Sequence, residues 1–96
     1  MARFELTLSA DRDLTEIYAY SFRQFGERQA DAYLQSLQDC FTLLAEMPNM
    51  GRSVDHLRVG YRRFEHKSHS VFYTSIDDGV RIIRVLHQRM DSERYL

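Results

Sequence analysis

Basic side chains, a histidine and two tyrosines are concentrated in the second half of the sequence, on segments predicted below to be neighbouring strands. The set comprises Arg62, Arg63, Lys67, Arg81, Arg84, His87 and Arg89, with Tyr61 and Tyr73 nearby. RNA cleavage without a metal needs a general base, a general acid and a cation for the charge that develops on the phosphate. His87 and a tyrosine could fill the first two roles, and Arg84 and Arg62 the third.

The same residues have a structural interpretation, in which they keep a sheet edge and one sheet face soluble. Charged side chains on exposed strands commonly serve this purpose. On composition alone this interpretation is favoured over a catalytic one.

Other kinds of chemistry have less support. The four glycines are isolated and form no phosphate-binding loop. The single cysteine, Cys40, has no partner for a zinc site or an internal disulfide, and its helical context predicts a small buried hydrophobe. His56, His66, His69 and His87 lack the i, i+4 spacing of a helical zinc site, and His66 and His69 are predicted to form a solvated pair. We therefore expect no cofactor and no bound metal.

The last predicted strand, residues 80–87, positions His87 and two of the arginines. It is rich in β-branched residues and leucine and contains no proline. One alternate set is Val80, Ile82, Arg84 and Leu86, and the other is Arg81, Ile83, Val85 and His87. A strand with apolar residues on both faces lies inside its sheet, with helices on one side. The pattern leaves the register of this strand open.

Two helices are predicted upstream. The first has Ser9 as its N-cap and Asp11 and Asp13 in its first turn, and it ends at Gly26. Its apolar stripe is Leu14, Ile17, Tyr18, Ser21, Phe22 and Phe25. The second covers residues 27–47 and stops before Pro48. The short connection between them predicts an antiparallel hairpin.

Four strands are predicted around this hairpin. They are residues 3–8 with Phe4, Leu6 and Leu8 on one face, a polar edge strand at 61–67, a buried strand at 69–76, and residues 80–87. Asp77-Asp78-Gly79 predicts a hairpin turn with positive φ angles. Residues 49–59 form a polar connection without periodicity.

The order β-α-α-β-β-β predicts an α+β fold. A helical hairpin with one apolar face would cover one side of a small, mainly antiparallel sheet, which makes a two-layer sandwich. We expect residues 1–96 to form a single domain.

The charge distribution is uneven. Residues 1–50 hold four arginines and eight acidic residues, whereas residues 51–96 hold eight arginines, one lysine and six acidic residues. The net charge of −1 argues against a general nucleic-acid binder. Neither a leader pattern nor a run of about 20 apolar residues is present, so we expect a cytoplasmic protein without membrane contact.

Three stretches resemble a known family. They are Asp-Leu-Thr-Glu-Ile-Tyr at residues 13–18, Met-Pro-Asn-Met-Gly-Arg at 47–52, and Tyr-Arg-Arg-Phe at 61–64 followed by Val-Phe-Tyr at 71–73 and Ile-Arg-Val-Leu-His-Gln-Arg-Met-Asp at 83–91. Together they make the whole chain resemble the RelE/ParE superfamily of toxins from type II toxin–antitoxin systems. A strand ending in Arg-Val-Leu-His, then Met-Asp and a short basic tail, is similar to the ParE branch in particular.

The resemblance implies one of two activities. RelE-like toxins cut messenger RNA in the ribosomal A site. ParE-like toxins inhibit DNA gyrase, trap it on cleaved DNA and block replication, and are not nucleases. In our alignment Ser70, Gln88 and Arg94 stand where RelE-like nucleases have arginine, arginine and tyrosine. The resemblance therefore implies a gyrase inhibitor that is not an enzyme, with a ribosome-dependent mRNA endoribonuclease using His87, Arg84 and Arg62 as the alternative.

In the ParE branch the C-terminal tail matters for toxicity. The resemblance thus implies that target binding involves His87, Arg89, Met90, Asp91 and Arg94. A structural alternative, given equal weight, is that Met90 and Leu96 simply cap the core.

Both branches are neutralised by an antitoxin encoded beside the toxin, here a ParD-like protein, whose disordered segment folds across the toxin. Its other end binds DNA, so this chain would reach DNA only through that partner. Tyr18, Phe22, Phe25 and Tyr33 are more aromatic residues than so small a core needs, and we expect one or two of them to be exposed for the antitoxin. The alternative is that all are core, which applies most to Phe22 and Tyr33.

Overall fold

The computed structural model describes residues 1–96, which form three helices and one five-stranded sheet. In chain order the elements are β1 (Arg3–Leu6), α1 (Leu8–Phe25), α2 (Glu27–Glu46), β2 (Arg52–Ser53), β3 (Tyr61–His66), β4 (His69–Ile76), β5 (Gly79–His87) and α3 (Ser92–Tyr95). The sheet order is β1-β5-β4-β3-β2, with β1 parallel to β5 and all other neighbours antiparallel. The predicted α+β class, with a helical hairpin on a mainly antiparallel sheet, is confirmed.

The start of α1 differs from the prediction. Thr7, and not Ser9, is the N-cap, since its Oγ1 accepts a hydrogen bond from the Ala10 N–H at 3.0 Å. Thr7 also donates to β5, from its N–H to Ile82 O and from Oγ1 to Ile83 O. One residue thus ends the sheet pairing and begins the helix. As a consequence Leu8 lies in the helix with 66% of its surface exposed, and its assignment to an apolar strand face was wrong.

The connection between the helices is as predicted. Gly26 has φ of +89° and its N–H donates to Phe22 O at 2.9 Å, which closes α1. This backbone conformation strongly favours glycine. The helix α2 ends at Glu46, one residue before the predicted end and two before Pro48.

The main core lies between the two long helices and one face of the sheet. Its buried members are Ala10, Leu14, Leu37, Cys40, Phe41, Leu44, Ala45, Val71, Tyr73, Val80, Ile82 and Val85. Cys40 is buried as predicted, and burial raises the pKa of its thiol to about 11, so the reactive thiolate is disfavoured. The Tyr73 hydroxyl donates to Pro48 O and accepts from the Gly51 N–H, which fixes the chain after α2.

The opposite face of the sheet carries a second, smaller cluster. Val54, Phe72 and Leu86 are buried there, and Leu57, Tyr61 and Leu96 pack against them. The segment 49–59, predicted to be a polar connection, therefore supplies core residues and also β2. That strand pairs with only two residues of β3, Arg62 and Arg63, so β3 is an edge strand along most of its length.

A bulge determines the register of β5. Tyr73 pairs with Ile82 whereas Phe72 pairs with Arg84, which leaves Ile83 without a partner. Side chains on either side of a bulge change face. Val85 consequently joins Ile82 in the main core, although the alternating pattern placed these two residues on opposite faces.

Gly79 opens β5 where β1 passes closest. A Cβ atom at this position would lie 1.6 Å from the carbonyl oxygen of Arg3, so no larger residue fits. The hairpin predicted between β4 and β5 is confirmed. The φ angles of Asp77 and Asp78 are not positive, however, since Lys67 is the only non-glycine residue with a positive φ. No helix of the fold combines the length and the apolar composition that crossing a bilayer would require.

Candidate functional site

A groove of about 870 Å³ runs between α1 and the C-terminal end of β5. It is lined by residues of α1 and α2, of the β3–β4 turn and the start of β4, of the end of β5 and of the C-terminal tail. The residues are Asp13, Glu16, Ile17, Tyr20, Ser21, Phe25, Gln29, Tyr33, Ser68, His69, Arg84, Val85, Leu86, His87, Met90 and Tyr95. The α1 side of the groove therefore combines apolar residues with the carboxylates of Asp13 and Glu16, and the sheet side contributes histidine and arginine side chains.

A largely buried ion pair between Arg84 and Asp13 forms part of the wall of the groove. Arg84 donates from Nε and Nη2 to the two carboxylate oxygens of Asp13, each at 2.8 Å, and the Val85 N–H donates to Asp13 Oδ2 at 2.9 Å. Asp13 thus satisfies a β5 backbone donor beyond the point where β1 ends at Leu6. The hydrogen bond to Asp13 raises the pKa of Arg84 above its ordinary value.

Tyr33, His69 and His87 form a cluster at the far end of the groove. The Tyr33 hydroxyl lies 2.6 Å from Nδ1 of His69, and the rings of His69 and His87 meet edge to face at 5.5 Å. Burial raises the pKa of Tyr33, so its hydroxyl stays protonated beside Nδ1 of His69. Burial, reinforced by the neighbouring His87, lowers the pKa of His69 to about 4. His69 is therefore neutral at physiological pH.

The predicted solvated pair of His66 and His69 is wrong. Their Cα atoms are paired across the β3–β4 hairpin, but His66 Nε2 lies 3.0 Å from Ser36 Oγ and His69 contacts Tyr33, so both rings pack against α2. Burial lowers the pKa of His66 as well. No group of three potential metal ligands is present.

The residues named for RNA cleavage do not converge. Arg62 lies on β3 and donates to Gly51 O at 2.6 Å, whereas Arg84 and His87 lie on β5, with β4 between them. Two strand spacings, about 10 Å, separate their backbones. Arg84 is held by Asp13, and His87 Nδ1 accepts a hydrogen bond from the Arg89 N–H at 3.2 Å.

Ser70, aligned with an arginine of RelE-like nucleases, is 1% exposed. Its hydroxyl lies 2.9 and 3.2 Å from the two carboxylate oxygens of Glu65, to which it donates. The Glu65 carboxylate therefore lies beside the short Ser70 side chain at this place on the sheet, and it also pairs with Arg63.

The tail residues named for target binding lie at or beyond the end of β5. Arg89, Asp91 and Arg94 are exposed, and Met90 is 37% exposed at the groove. The Asp91 carboxylate accepts from the Glu93 N–H and so begins α3. Of the two residues proposed as core caps, Leu96 packs on the second cluster whereas Met90 does not. The part of His87, Arg89, Met90, Asp91 and Arg94 in target binding stays a prediction.

The helical aromatics divide between exposed and packed positions. Phe22 and Phe25 are 48% and 58% exposed, whereas Tyr18 donates to Asp31 and Tyr33 packs against His69. Two of the four are therefore exposed, and Phe22 is not core. Tyr20, 56% exposed at the groove, was missed, although its spacing of three from Ile17 could have placed it beside the apolar stripe.

Comparison with known proteins identifies relatives along the full chain. The family model described as "ParE toxin of type II toxin-antitoxin system, parDE" matches residues 4–92. "Toxin ParE1" of Caulobacter vibrioides is 42% identical over 96 residues, which cover 100% of this chain and 99% of the relative. "Toxin ParE1" of Mycobacterium tuberculosis is 38% identical over 96 residues, which cover 99% and 98%.

A solved structure supports the fold. A chain of the "Chromosomal ParDE TA system from P. aeruginosa" superposes with a TM-score of 0.74 over 91% of this chain and 96% of that one, at 21% identity. The resemblance that the sequence carries is thus confirmed by independent matches of family and fold. The chain belongs to the ParE toxin family of type II toxin–antitoxin systems, within the RelE/ParE superfamily.

Proposed function

We propose that this chain inhibits DNA gyrase without catalysing a reaction itself, and that a ParD-like antitoxin neutralises it. The observation that carries the proposal is the engagement of the sheet cations by the protein itself. Arg84 is bound to Asp13, Arg62 to the Gly51 carbonyl and Arg63 to Glu65. A phosphate would have to displace these partners before either proposed nuclease arginine could stabilise it.

The histidines near the groove also support a function without catalysis. His69, the half-buried imidazole that contacts Tyr33, has a pKa of about 4 and is a weak base at neutral pH. Efficient proton transfer favours a group with a pKa near the working pH. His87 lies at the end of β5, but Gln88 and Arg94 follow it where RelE-like nucleases have an arginine and a tyrosine.

The exposed tail is the part of the molecule best placed to contact gyrase. Arg89 and Arg94 lie outside the core and can form bidentate contacts with carboxylates or phosphates. We expect the double substitution Arg89→Ala/Arg94→Ala to abolish inhibition of supercoiling at toxin concentrations where the unmodified chain inhibits fully. Arg12→Ala/Arg23→Ala, which removes two exposed arginines from α1, is the matched control and should leave inhibition unchanged. Equal inhibition by all three proteins would exclude the tail arginines.

The groove is proposed as the antitoxin site. Its apolar wall is formed by Ile17, Tyr20 and Phe25 of α1, and an apolar groove of this kind accepts the apolar face of a partner helix. Hydrogen exchange of the toxin with and without its antitoxin tests this placement. Slower exchange in α1 and at residues 84–90 is expected, and unchanged exchange there would place the antitoxin elsewhere.

The alternative, a ribosome-dependent endoribonuclease, is favoured by one feature, the Tyr33–His69–His87 cluster. Primer extension on translated messages would show discrete cuts if it were correct, and His87→Ala would remove them. Intact messages during growth arrest would exclude it.

A further inference from the structure

Arg84 contacts both α1 and the C-terminal tail. Two of its nitrogens bind Asp13 of α1, and the third, Nη1, donates to the carbonyl oxygen of Tyr95 at 3.0 Å. The guanidinium also lies 5.9 Å from the centre of the Tyr95 ring. We propose that Arg84 is a positioning residue that fastens the C-terminal tail, residues 91–96, to the groove wall, and that Asp13 holds it in the orientation that does so.

The geometry of the guanidinium is what makes this possible. It is planar and rigid, so a bidentate contact on one side fixes the direction of the remaining N–H groups. Once Nε and Nη2 are bound to Asp13, Nη1 can point only along the line that leads to Tyr95 O. A lysine at this position would carry the same charge, but it could not bind both oxygens of Asp13 and the tail in a fixed arrangement.

The tail has few other attachments. The helix α3 has four residues, too few to be stable by itself. Its remaining contacts are the packing of Leu96 on the second cluster and a 3.4 Å hydrogen bond from Arg58 Nη2 to Leu96 O at an exposed position. Terminal segments stay poorly ordered unless they are tied down, so the Arg84 contact should dominate the order of the tail.

This arrangement couples the groove to the tail. Met90 and Tyr95 line the same groove as Asp13 and Arg84. A molecule bound in the groove would therefore contact the residues that hold the tail in place. An occupant that binds one tail arrangement better than the other must shift the tail, and the tail must alter its affinity by the same factor. This last step rests on the proposed function, because it takes the groove for the antitoxin site and the tail for the toxic element.

The test is hydrogen exchange of the free chain carrying Arg84→Lys. We expect at least tenfold faster exchange of amides in residues 92–96, and faster tryptic cleavage after Arg89 and Arg94, while β4 amides keep their protection. Arg81→Lys is the matched control, since Arg81 lies on the same strand but pairs with Glu5 away from the tail. It should leave tail exchange unchanged. A folded Arg84→Lys protein with an unchanged tail would overturn the proposal.

A second variant keeps the test decisive if Arg84→Lys does not fold. Leu96→Ala removes the apolar attachment and leaves Arg84 and Tyr95 in place. We expect tail exchange to rise less than threefold, whereas full release of the tail would show that Leu96, and not Arg84, holds it. Neither experiment contains gyrase or antitoxin, so the result stands whether or not the proposed function is correct.

Discussion

The two halves of the outer edge of β5 are closed by different means. The first half pairs with the backbone of β1 from Gly79 to Ile82, and at Gly79 the approach of Arg3 leaves no room for a Cβ atom. The second half has no partner strand. Side chains close it instead, with Thr7 bonded to Ile83 O and Asp13 to the Val85 N–H and to Arg84.

The difference separates the end of β5 that is paired with a strand from the end that borders the candidate site. A backbone ladder is fixed by geometry and exposes nothing for a ligand to bind. The side chains that bind the second half can change conformation, and two of them, Asp13 and Arg84, are charged and line the groove. The aromatic residues, the histidines and the tail all lie at this second end. In this chain β1 ends at Leu6, which leaves this part of the β5 edge without a partner strand.

The largest expected effect tests the first half. Gly79→Ala places a methyl group 1.6 Å from Arg3 O, which the strands can relieve only by separating. We expect a loss of about 3 kcal/mol in the free energy of unfolding, at the upper end of overpacking effects, measured by urea denaturation. Gly26→Ala is the control for backbone conformation alone, because nothing lies within 4 Å of its added Cβ. It should cost about 1 kcal/mol, and equal costs for the two variants would contradict the backbone account.

The next effect tests the second half. Asp13→Asn removes the charge that Arg84 faces and weakens the bond to the Val85 N–H. Losing one partner of a largely buried ion pair should cost about 2 kcal/mol, reduced from the fully buried case by the partial exposure of Arg84. Asp11→Asn, in the same helical turn but exposed, should change stability by less than about 0.5 kcal/mol. A cost below that for Asp13→Asn would mean that the side-chain closure is dispensable.

The histidine cluster predicts that this end of the molecule weakens in acid. The pKa of His69 falls to about 4 on folding, mainly through burial, so the unfolded chain binds its proton more tightly. Its contribution to stability is complete above about pH 6.5 and is lost as the pH falls towards 4. Because the ring is partly exposed, we expect only about 1 kcal/mol between pH 7.5 and 5. Denaturant titrations at pH 7.5 and at pH 5 measure this difference. The wild-type chain should lose more free energy of unfolding between the two pH values than His69→Gln does. His56→Gln, in the exposed loop, should behave as wild type.

The smallest effect on stability separates folding from recognition. Phe25→Ala removes a side chain that is 58% exposed and should change the free energy of unfolding by less than about 0.5 kcal/mol. If the groove binds the antitoxin, the same variant should weaken that complex at least tenfold by calorimetry. Leu43→Ala, 40% exposed on α2 and outside the groove, is the control and should leave binding unchanged. Similar affinities for both variants would remove Phe25 from the antitoxin site.

The elements with strong local signals were predictable from sequence. Gly26 and Pro48 mark the ends of the helices, because each restricts or frees the backbone at its own position. The apolar patterns of α2 and β4 also extend over enough residues to be recognised in the sequence. The two-residue strand β2 has no period of its own and exists only through its pairing with Arg62 and Arg63. The bulge at Ile83 likewise depends on the register against β4.

The site was harder to predict than the fold. Asp13 and Arg84 are 71 residues apart in sequence, and no spacing rule connects a helical carboxylate with a strand arginine at that separation. Arg84 was therefore assigned to a free basic surface, whereas its nitrogens are bound to the protein. The exposed Phe22 and Phe25 followed from counting aromatics against the size of the core, an argument that could not say which of them faces solvent.

The most direct test of the central claim adds the purified chain to two parallel reactions, gyrase with supercoiled DNA and a translation extract with a defined message. We expect linear DNA that accumulates only when gyrase is present, while the message stays intact and translation continues. Halted translation with discrete cuts in the message, and gyrase unaffected, would contradict it and would assign the activity to the sheet residues and His87.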